Sequence, residues 1–297
     1  MSNWIKNILV PFALAFLTLW FAPIAWSQAQ PWFFAVLADP QMGMFAHDQN
    51  FAQETANLEF VVANLNRLRP RFVVICGDLV NRTGDAAQTD EYKRILKELD
   101  PTIPLYNVAG NHDVGNIPTP ATLAAYRTAF GPDYYTFNAP GILGVVLDSN
   151  LIRSPQGAPQ AAQLQKDWLD KTLASARADR DHQVVVFQHI PFFIYNADEA
   201  DEYFNIPQPA RQQYLNLLEK AGVRNVFAGH YHRNAIGSDG PLTEIVTGAV
   251  GKPLGQSVSG FRLVRVEGTK LESTWYCLGK IPNTIDVQKP LPETCPQ

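Results

Sequence analysis

Apolar residues come in short dense runs separated by longer amphipathic stretches. Eight runs rich in β-branched and aromatic residues predict buried strands at 33–38, 72–76, 104–109, 143–148, 184–188, 224–228, 244–248 and 261–266. Between the earlier runs the period changes to that of a helix. Residues 50–68 put Leu58, Val61, Val62, Leu65 and Leu68 on one helical face, and 88–99, 121–130, 161–177 and 208–221 repeat the pattern more weakly. Strand and helix alternate over the first two-thirds, which predicts an α/β fold. The last third is strand-rich with short turns, which predicts an antiparallel section. With no internal repeat and no linker, one catalytic domain over 28–280 is the simplest organisation. Residues 281–297, with four prolines, read as a surface tail.

Residues 1–27 follow another rule. Lys6 is their one charge, an apolar run extends from Ile8 to Trp26, and Ala25-Trp26-Ser27 offers a small-x-small cleavage site. That is the layout of a secretory signal peptide, so the mature chain is expected to start near Gln28 and be exported to a periplasmic, envelope or extracellular space. The run is almost long enough to span a bilayer, so a retained anchor is the alternative. No later segment is apolar enough to cross a membrane.

At 297 residues and 46% hydrophobic content the chain can bury a sizeable core, and 22 prolines indicate many loops. Residues 1–27 hold one Lys and no acid, so the remainder carries 23 basic against 28 acidic residues, a balance of −5. This gives no support for a nucleic-acid or anionic-lipid surface. Of three cysteines, Cys76 ends a strand-like run and reads as a buried thiol. Cys277 and Cys295 either pair in an oxidising compartment or remain free.

Polar residues stand directly after five of the apolar runs: Asp39-Pro40-Gln41, Gly77-Asp78, Gly110-Asn111-His112-Asp113, Gln188-His189, and Gly229-His230-Tyr231-His232. Ligands bind at the carboxyl ends of strands in α/β sheets, so five such clusters predict one shared site. Asp, Asn, Gln and His are oxygen and imidazole donors suited to Mn, Fe, Zn or Mg, and no thiolate is involved. A carboxylate can bridge two ions through its two oxygens, and Asp78 is well placed to do so. Two ions together can clamp a phosphoryl group and activate a water.

The ordered motifs ADPQMG (38–43), GDLV (77–80), NHDVGN (111–116), QHIPFF (188–193) and GHYHRN (229–234) resemble those of the calcineurin-like metallophosphoesterase superfamily. They resemble most the branch named calcineurin-like phosphoesterase domain-containing protein 1. The resemblance covers roughly residues 32–278. It implies a β-sandwich of two mixed sheets flanked by helices in α-β-β-α layers, and a hydrolase with two divalent metal ions. Carried over residue by residue, it implies one ion on Asp39, Gln41, Asp78 and His232, and a second on Asp78, Asn111, His189 and His230. His112 would face the phosphate as general acid, with Asp113 orienting its ring. Gln41 departs from the superfamily, where His is usual, although the named branch also carries Asp-Pro-Gln.

Other polar residues have competing readings. Arg233 and Asn234 follow the last histidine and could contact a substrate phosphate, or could simply brace their loop. Tyr195, Tyr203 and Phe204 are a pocket wall or core aromatics. Asp148 reads as a turn or cap residue, His47 and Asp48 as a surface loop or a pocket lining, His182 as a loop residue, and Asp198, Glu199, Asp201 and Glu202 as a solvated acidic loop. The expected activity is phosphomonoester hydrolysis, on a phosphoprotein or small phosphate ester. The alternatives are a phosphodiesterase of the same superfamily and a metal-binding sensor that turns over poorly. The sequence leaves the oligomeric state open.

Overall fold

The computed structural model describes residue 1, residues 30–178, residues 182–293 and residue 295. The signal-like segment 1–27 lies almost wholly outside the described residues. Among the described residues eleven strands form two sheets. The first has the order β11(Lys270–Cys277), β10(Gly260–Glu267), β1(Trp32–Leu37), β2(Val73–Ile75), β3(Leu105–Asn107). The second has the order β4(Tyr135–Ala139), β5(Ile142–Val146), β6(Gln183–Phe187), β7(Asn225–Ala228), β9(Leu242–Val246), β8(Ala235–Asp239). Strands β1, β2 and β3 run parallel, as do β5, β6, β7 and β9, while β4, β8, β10 and β11 pair antiparallel. Both sheets are therefore mixed.

Each central strand is apolar on both faces because each sheet is covered twice. From β1, Trp32, Phe34 and Val36 point between the sheets, where they meet Phe72, Phe187 and Phe227. Phe34 stacks on Phe72 at 4.6 Å between ring centroids and meets Phe187 edge-on at 6.1 Å. Burying one such ring stabilises the fold by about 1.5–3 kcal/mol. The alternate residues Phe33, Ala35 and Leu37 face outward onto Leu58, Val61 and Leu65 of α1(Ala52–Leu68). On the other sheet, Val184 and Val186 face Leu169 and Leu173 of α6(Pro159–Ala178) and Leu215 and Leu218 of α7(Gln208–Lys220). The layers are α-β-β-α, the architecture implied by the resemblance.

The remaining helices are α2(Ala86–Leu96), α3(Asn111–Val114), α4(Pro120–Phe130) and α5(Ser149–Arg153). Asp148 is the N-cap of α5, its side chain accepting from the Asn150 amide, which is the cap role expected of it. The antiparallel strands β4, β8 and β11 do not appear among the expected runs. All three lie at sheet edges, where one side of the strand has no partner and polar residues such as Asn138, Ser238 and Glu272 are tolerated. The expected antiparallel section of the last third is present in the β8–β9 and β10–β11 pairs, with β7 and β9 running parallel beside it. The Pro-rich segment runs along the surface of the first sheet and is tied to it. Ile281, Ile285, Val287 and Leu291 pack on the outer cluster of the first sheet, Arg265 donates to the Val287 carbonyl, and Cys277 and Cys295 form a disulfide with Cα atoms 6.1 Å apart. Cys76 is a buried free thiol.

Candidate metal centre

The loops after β1, β2, β3, β6 and β7 meet at one end of the sandwich. Asp39, Gln41, Asp78, Asn111, His189, His230 and His232 are all buried there, whereas His112 is partly exposed. Two groups of donor atoms emerge, Asp78 with His189 and His230, and Asp39 with Asp78 and His232. Within each group the donor atoms lie within 4.8 Å of one another. Asp78 belongs to both. Its Oδ1 lies 3.3 Å from His189 Nε2, and His232 Nε2 lies 3.4 Å from Asp39 Oδ1.

The backbone is bent to allow this crowding. Asp39, Gln41, Asp78, His230 and His232 all have φ between 41° and 67°, in the left-handed region that non-glycine residues seldom occupy. Five sharply turned residues out of the seven aim side chains inward from chain segments that would otherwise run past. Gly110 is required by close approach, since a Cβ there would come 2.0 Å from the Asp78 amide nitrogen. At Gly77 a Cβ would fall 2.4 Å from the His189 ring.

Each histidine spends one ring nitrogen on a backbone carbonyl. His189 Nδ1 pairs with Cys76 O at 2.8 Å, His230 Nε2 with Tyr203 O at 3.1 Å, and His232 Nδ1 with Lys252 O at 2.6 Å. A carbonyl accepts only, so each ring holds a proton on that nitrogen and turns its other nitrogen, the one a metal would take, toward the cluster. This is how ligating imidazoles are fixed in orientation and tautomer. Gln41 is arranged to the same end. Its Nε2 donates to Asn81 Oδ1 at 3.1 Å, while its buried Oε1 has no hydrogen-bond partner. A buried amide oxygen left without a donor is costly, and a cation would relieve it. Asn111 likewise directs Nδ2 to Asn116 and to the Tyr203 hydroxyl, leaving Oδ1 at 2.9 Å from His189 Nε2.

Charges in the cluster strain against one another. Burial pushes the Asp39 carboxyl up to about 6, although His232 and His189 pull the other way. Burial acts to lower His189, but the Asp78 carboxylate outweighs it and holds the imidazole at about 9. Asp78 in turn is held below the usual carboxylate range: His189 overrides the effect of burial. Burial and the neighbouring His189 charge depress His230 to about 3. Buried carboxylates beside imidazoles are a donor set that divalent cations would complete by displacing protons.

His112 stands beside this cluster. Its backbone N–H donates to Asp78 Oδ1 at 2.8 Å and its Nδ1 pairs with Asn81 O at 2.6 Å. The expectation that Asp113 orients the His112 ring is corrected here. The Asp113 carboxylate accepts instead from the amides of Leu79, Val80 and Gly110, tying the loop after β2 to the loop after β3. Side chains one apart in the first turn of α3 diverge, so adjacency in sequence does not bring these two together. Of the two readings of Asn234 the structure shows the bracing one: its Oδ1 accepts from Gly248 N and Arg262 Nη2. Arg233 lies on the Tyr231 ring at 4.7 Å and donates to the Tyr231 hydroxyl. Asn81 is a site residue that sequence reasoning missed. It holds Gln41 and His112 and is itself braced by Asp48 Oδ1 at 2.8 Å. Its position directly after Gly-Asp-Leu-Val is the one signal that could have found it. Tyr203 takes the pocket-wall reading. A separate cavity of about 640 Å³ opens near α4 and α6, lined by Leu123, Arg127, Tyr134 and Leu164 among others, and contains none of these residues.

The fold and the donor set define a metal-dependent phosphoester hydrolase. Residues 34–234 match the family described as calcineurin-like phosphoesterase, and the chain belongs to that family. Among curated proteins it is 37% identical over 266 residues to the serine/threonine-protein phosphatase CPPED1 of Bos taurus, covering 84% of this chain and 85% of that one. The Danio rerio protein of the same name is 35% identical over 266 residues, covering 84% and 86%. Among solved structures, a dimetal phosphatase from Danio rerio superposes with a TM-score of 0.62 at 18% identity, covering 84% of this chain and 97% of that one. Purple acid phosphatase PPD1 from Lupinus luteus gives 0.60 at 15% identity, covering 85% of this chain and 52% of that one. These last two are likenesses of fold.

Proposed function

We propose that this chain is a dimetal phosphomonoesterase whose substrates are phosphoserine or phosphothreonine residues or small esters of the same kind. One observation carries the reading: Asp78 is common to both donor groups, as a bridging carboxylate must be. The first ion would be held by Asp39, Gln41, Asp78 and His232, the second by Asp78, Asn111, His189 and His230. Manganese, iron, zinc and magnesium all suit such a set, with the neutral amide oxygens of Gln41 and Asn111 favouring the harder ions. When bound, two such ions supply a water of lowered pKa and a positive clamp on the phosphoryl oxygens.

The chain's own residues do the rest. His112 Nδ1 donates to the Asn81 carbonyl, so the ring's Nε2 is the atom that can carry a second proton to the leaving oxygen. Asp113 keeps the two loops in register while this occurs. Tyr203 walls one side of the centre. The names of the curated relatives support a serine/threonine phosphoester as substrate. Purified protein reconstituted with each metal and given aryl phosphate monoesters, aryl diesters and phosphoserine peptides tests the reading. Monoesters and peptides should turn over faster than diesters. A preference for diesters would replace this reading with a phosphodiesterase, and no turnover with any metal would leave a sensor.

Gln41 gives a direct check on the first ion. Gln41→Ala should weaken it by about tenfold or more, whereas Gln41→His should tighten zinc. Unchanged metal affinity in both variants, read by competition with a chelating dye, would remove Gln41 from the ligand set.

We also read residues 1–27 as an export signal, which the disulfide supports because such bonds persist in oxidising compartments. The exported protein should begin near Gln28 and expose one alkylatable thiol, Cys76, under denaturing conditions. Cys277→Ser should cost about 3 kcal/mol of stability in the chain-entropy account of an 18-residue separation. Three alkylated cysteines would refute the bridge in solution, and a retained Met1 would point to a membrane anchor.

A further inference from the structure

Arg153 closes the short helix α5 and makes no ion pair among the described residues; its guanidinium lies over the face of Tyr203, 5.2 Å from guanidinium carbon to ring centroid. An arginine stacked on a ring uses its face and leaves the in-plane N–H groups free to donate. Among the described residues no acidic residue near Tyr203 in sequence pairs with Arg153, and two of them are committed elsewhere. Glu199 accepts from the amides of Ile194 and Tyr195 and from Asn205, and Asp201 lies 3.7 Å from Arg211. Arg153 thus offers an unspent cationic fork.

Its position is fixed by the metal loops themselves. Asn150 Nδ2 donates to Ala109 O, just ahead of Gly110 and Asn111, and Ser149 Oγ accepts from Ile190 N, directly after His189. Asp148 caps the same helix. A five-residue helix bonded to two ligand loops carries Arg153 as a rigid extension of the centre. Tyr203 completes the link. Its ring lies 4.9 Å from that of His230, its carbonyl holds His230 Nε2, and its hydroxyl meets Asn111 Nδ2 at 3.3 Å. Tyr203 is nevertheless 48% exposed, so its ring is open to a ligand. The guanidinium is therefore one aromatic side chain removed from the ligands of the second ion. That offset suits the neighbour of the scissile phosphate rather than the phosphoryl group itself.

We propose that Arg153, seated on Tyr203, determines specificity by binding the carboxylate of an acidic residue beside the phosphorylated one. This rests on the phosphomonoesterase reading and adds a substrate preference to it: phosphopeptides with an adjacent Asp or Glu. Arg153 matches a carboxylate bidentately, and Tyr203 packs against the intervening peptide.

The test uses full-length metal-loaded protein and two phosphoserine peptides that differ by Asp or Asn next to the phosphoserine. Wild type should favour the Asp peptide by about tenfold to a hundredfold in kcat/KM, the range of one charge-assisted hydrogen bond, and chiefly through KM. Arg153→Gln should bring that ratio close to one, and Arg153→Lys should leave an intermediate ratio because it keeps the charge without the fork. Thermal melting and metal stoichiometry establish that each variant is folded and loaded. A wild-type ratio near one, or a ratio unchanged in Arg153→Gln, overturns the proposal while leaving the phosphatase reading intact. Absence of monoester hydrolysis by wild type overturns both.

Discussion

Asp78→Asn should empty both ion positions together, taking metal content from two per chain to well below one and turnover down by roughly a thousandfold or more. The side chain is fully buried, one of its oxygens accepts from the His112 amide, and it contributes to both donor groups. An amide has one oxygen where the carboxylate has two. That oxygen can still accept from His112, so the loop keeps its shape, but the group can no longer bridge. It also loses the charge that holds His189 in place. His232→Ala provides the contrast, since it removes a donor from one group alone. Elemental analysis after reconstitution and dialysis decides the matter. Retention of one full equivalent in Asp78→Asn would show that the carboxylate serves a single ion.

His112→Ala should lower turnover by roughly 10²–10⁴ with metal content unchanged. The ring is the partly exposed imidazole at the centre, and the backbone N–H that braces Asp78 survives the substitution. What disappears is a proton donor for the leaving oxygen. The defect should therefore shrink for substrates with acidic leaving groups, such as nitrophenyl esters, and be largest for alkyl phosphates such as phosphoserine, whose alkoxide leaves poorly without a proton. A series of leaving groups gives the slope. Equal losses across the series would assign His112 to binding the phosphoryl oxygens.

Most of the centre was legible because its chemistry is written in short local segments. Residue type and order in Asp39-Pro40-Gln41, Gly77-Asp78, Gly110-Asn111-His112 and Gly229-His230-Tyr231-His232 survive any detail of packing, and each follows an apolar run that could only be a strand. The inner strands were legible for the same reason: Phe33–Leu37 and Val184–Phe187 are covered on both faces, so burial leaves an unbroken apolar signature. Edge strands such as β11 carry no such signature. Their polar positions face water, and their strand character comes from a partner, β10, that propensity does not encode.

The roles that failed were those assigned by adjacency. Asp113 follows His112 in the chain, yet consecutive side chains on a helix point about 100° apart, and the carboxylate is claimed by three amides from two loops. Asn81, distant in sequence from both Gln41 and His112, holds them both. By itself the sequence determined the family, the candidate donor types, their order and the strand ends that bear them, because those depend on residue identity and local periodicity. Only the tertiary structure decided which imidazole nitrogen faces the cluster, that the Gln41 amide spends its nitrogen on Asn81 and leaves its oxygen unpartnered, and that Arg153 rests on Tyr203. Each of those depends on a hydrogen bond or ring contact between segments tens of residues apart, and such contacts exist only once the two sheets have closed on their shared aromatic core.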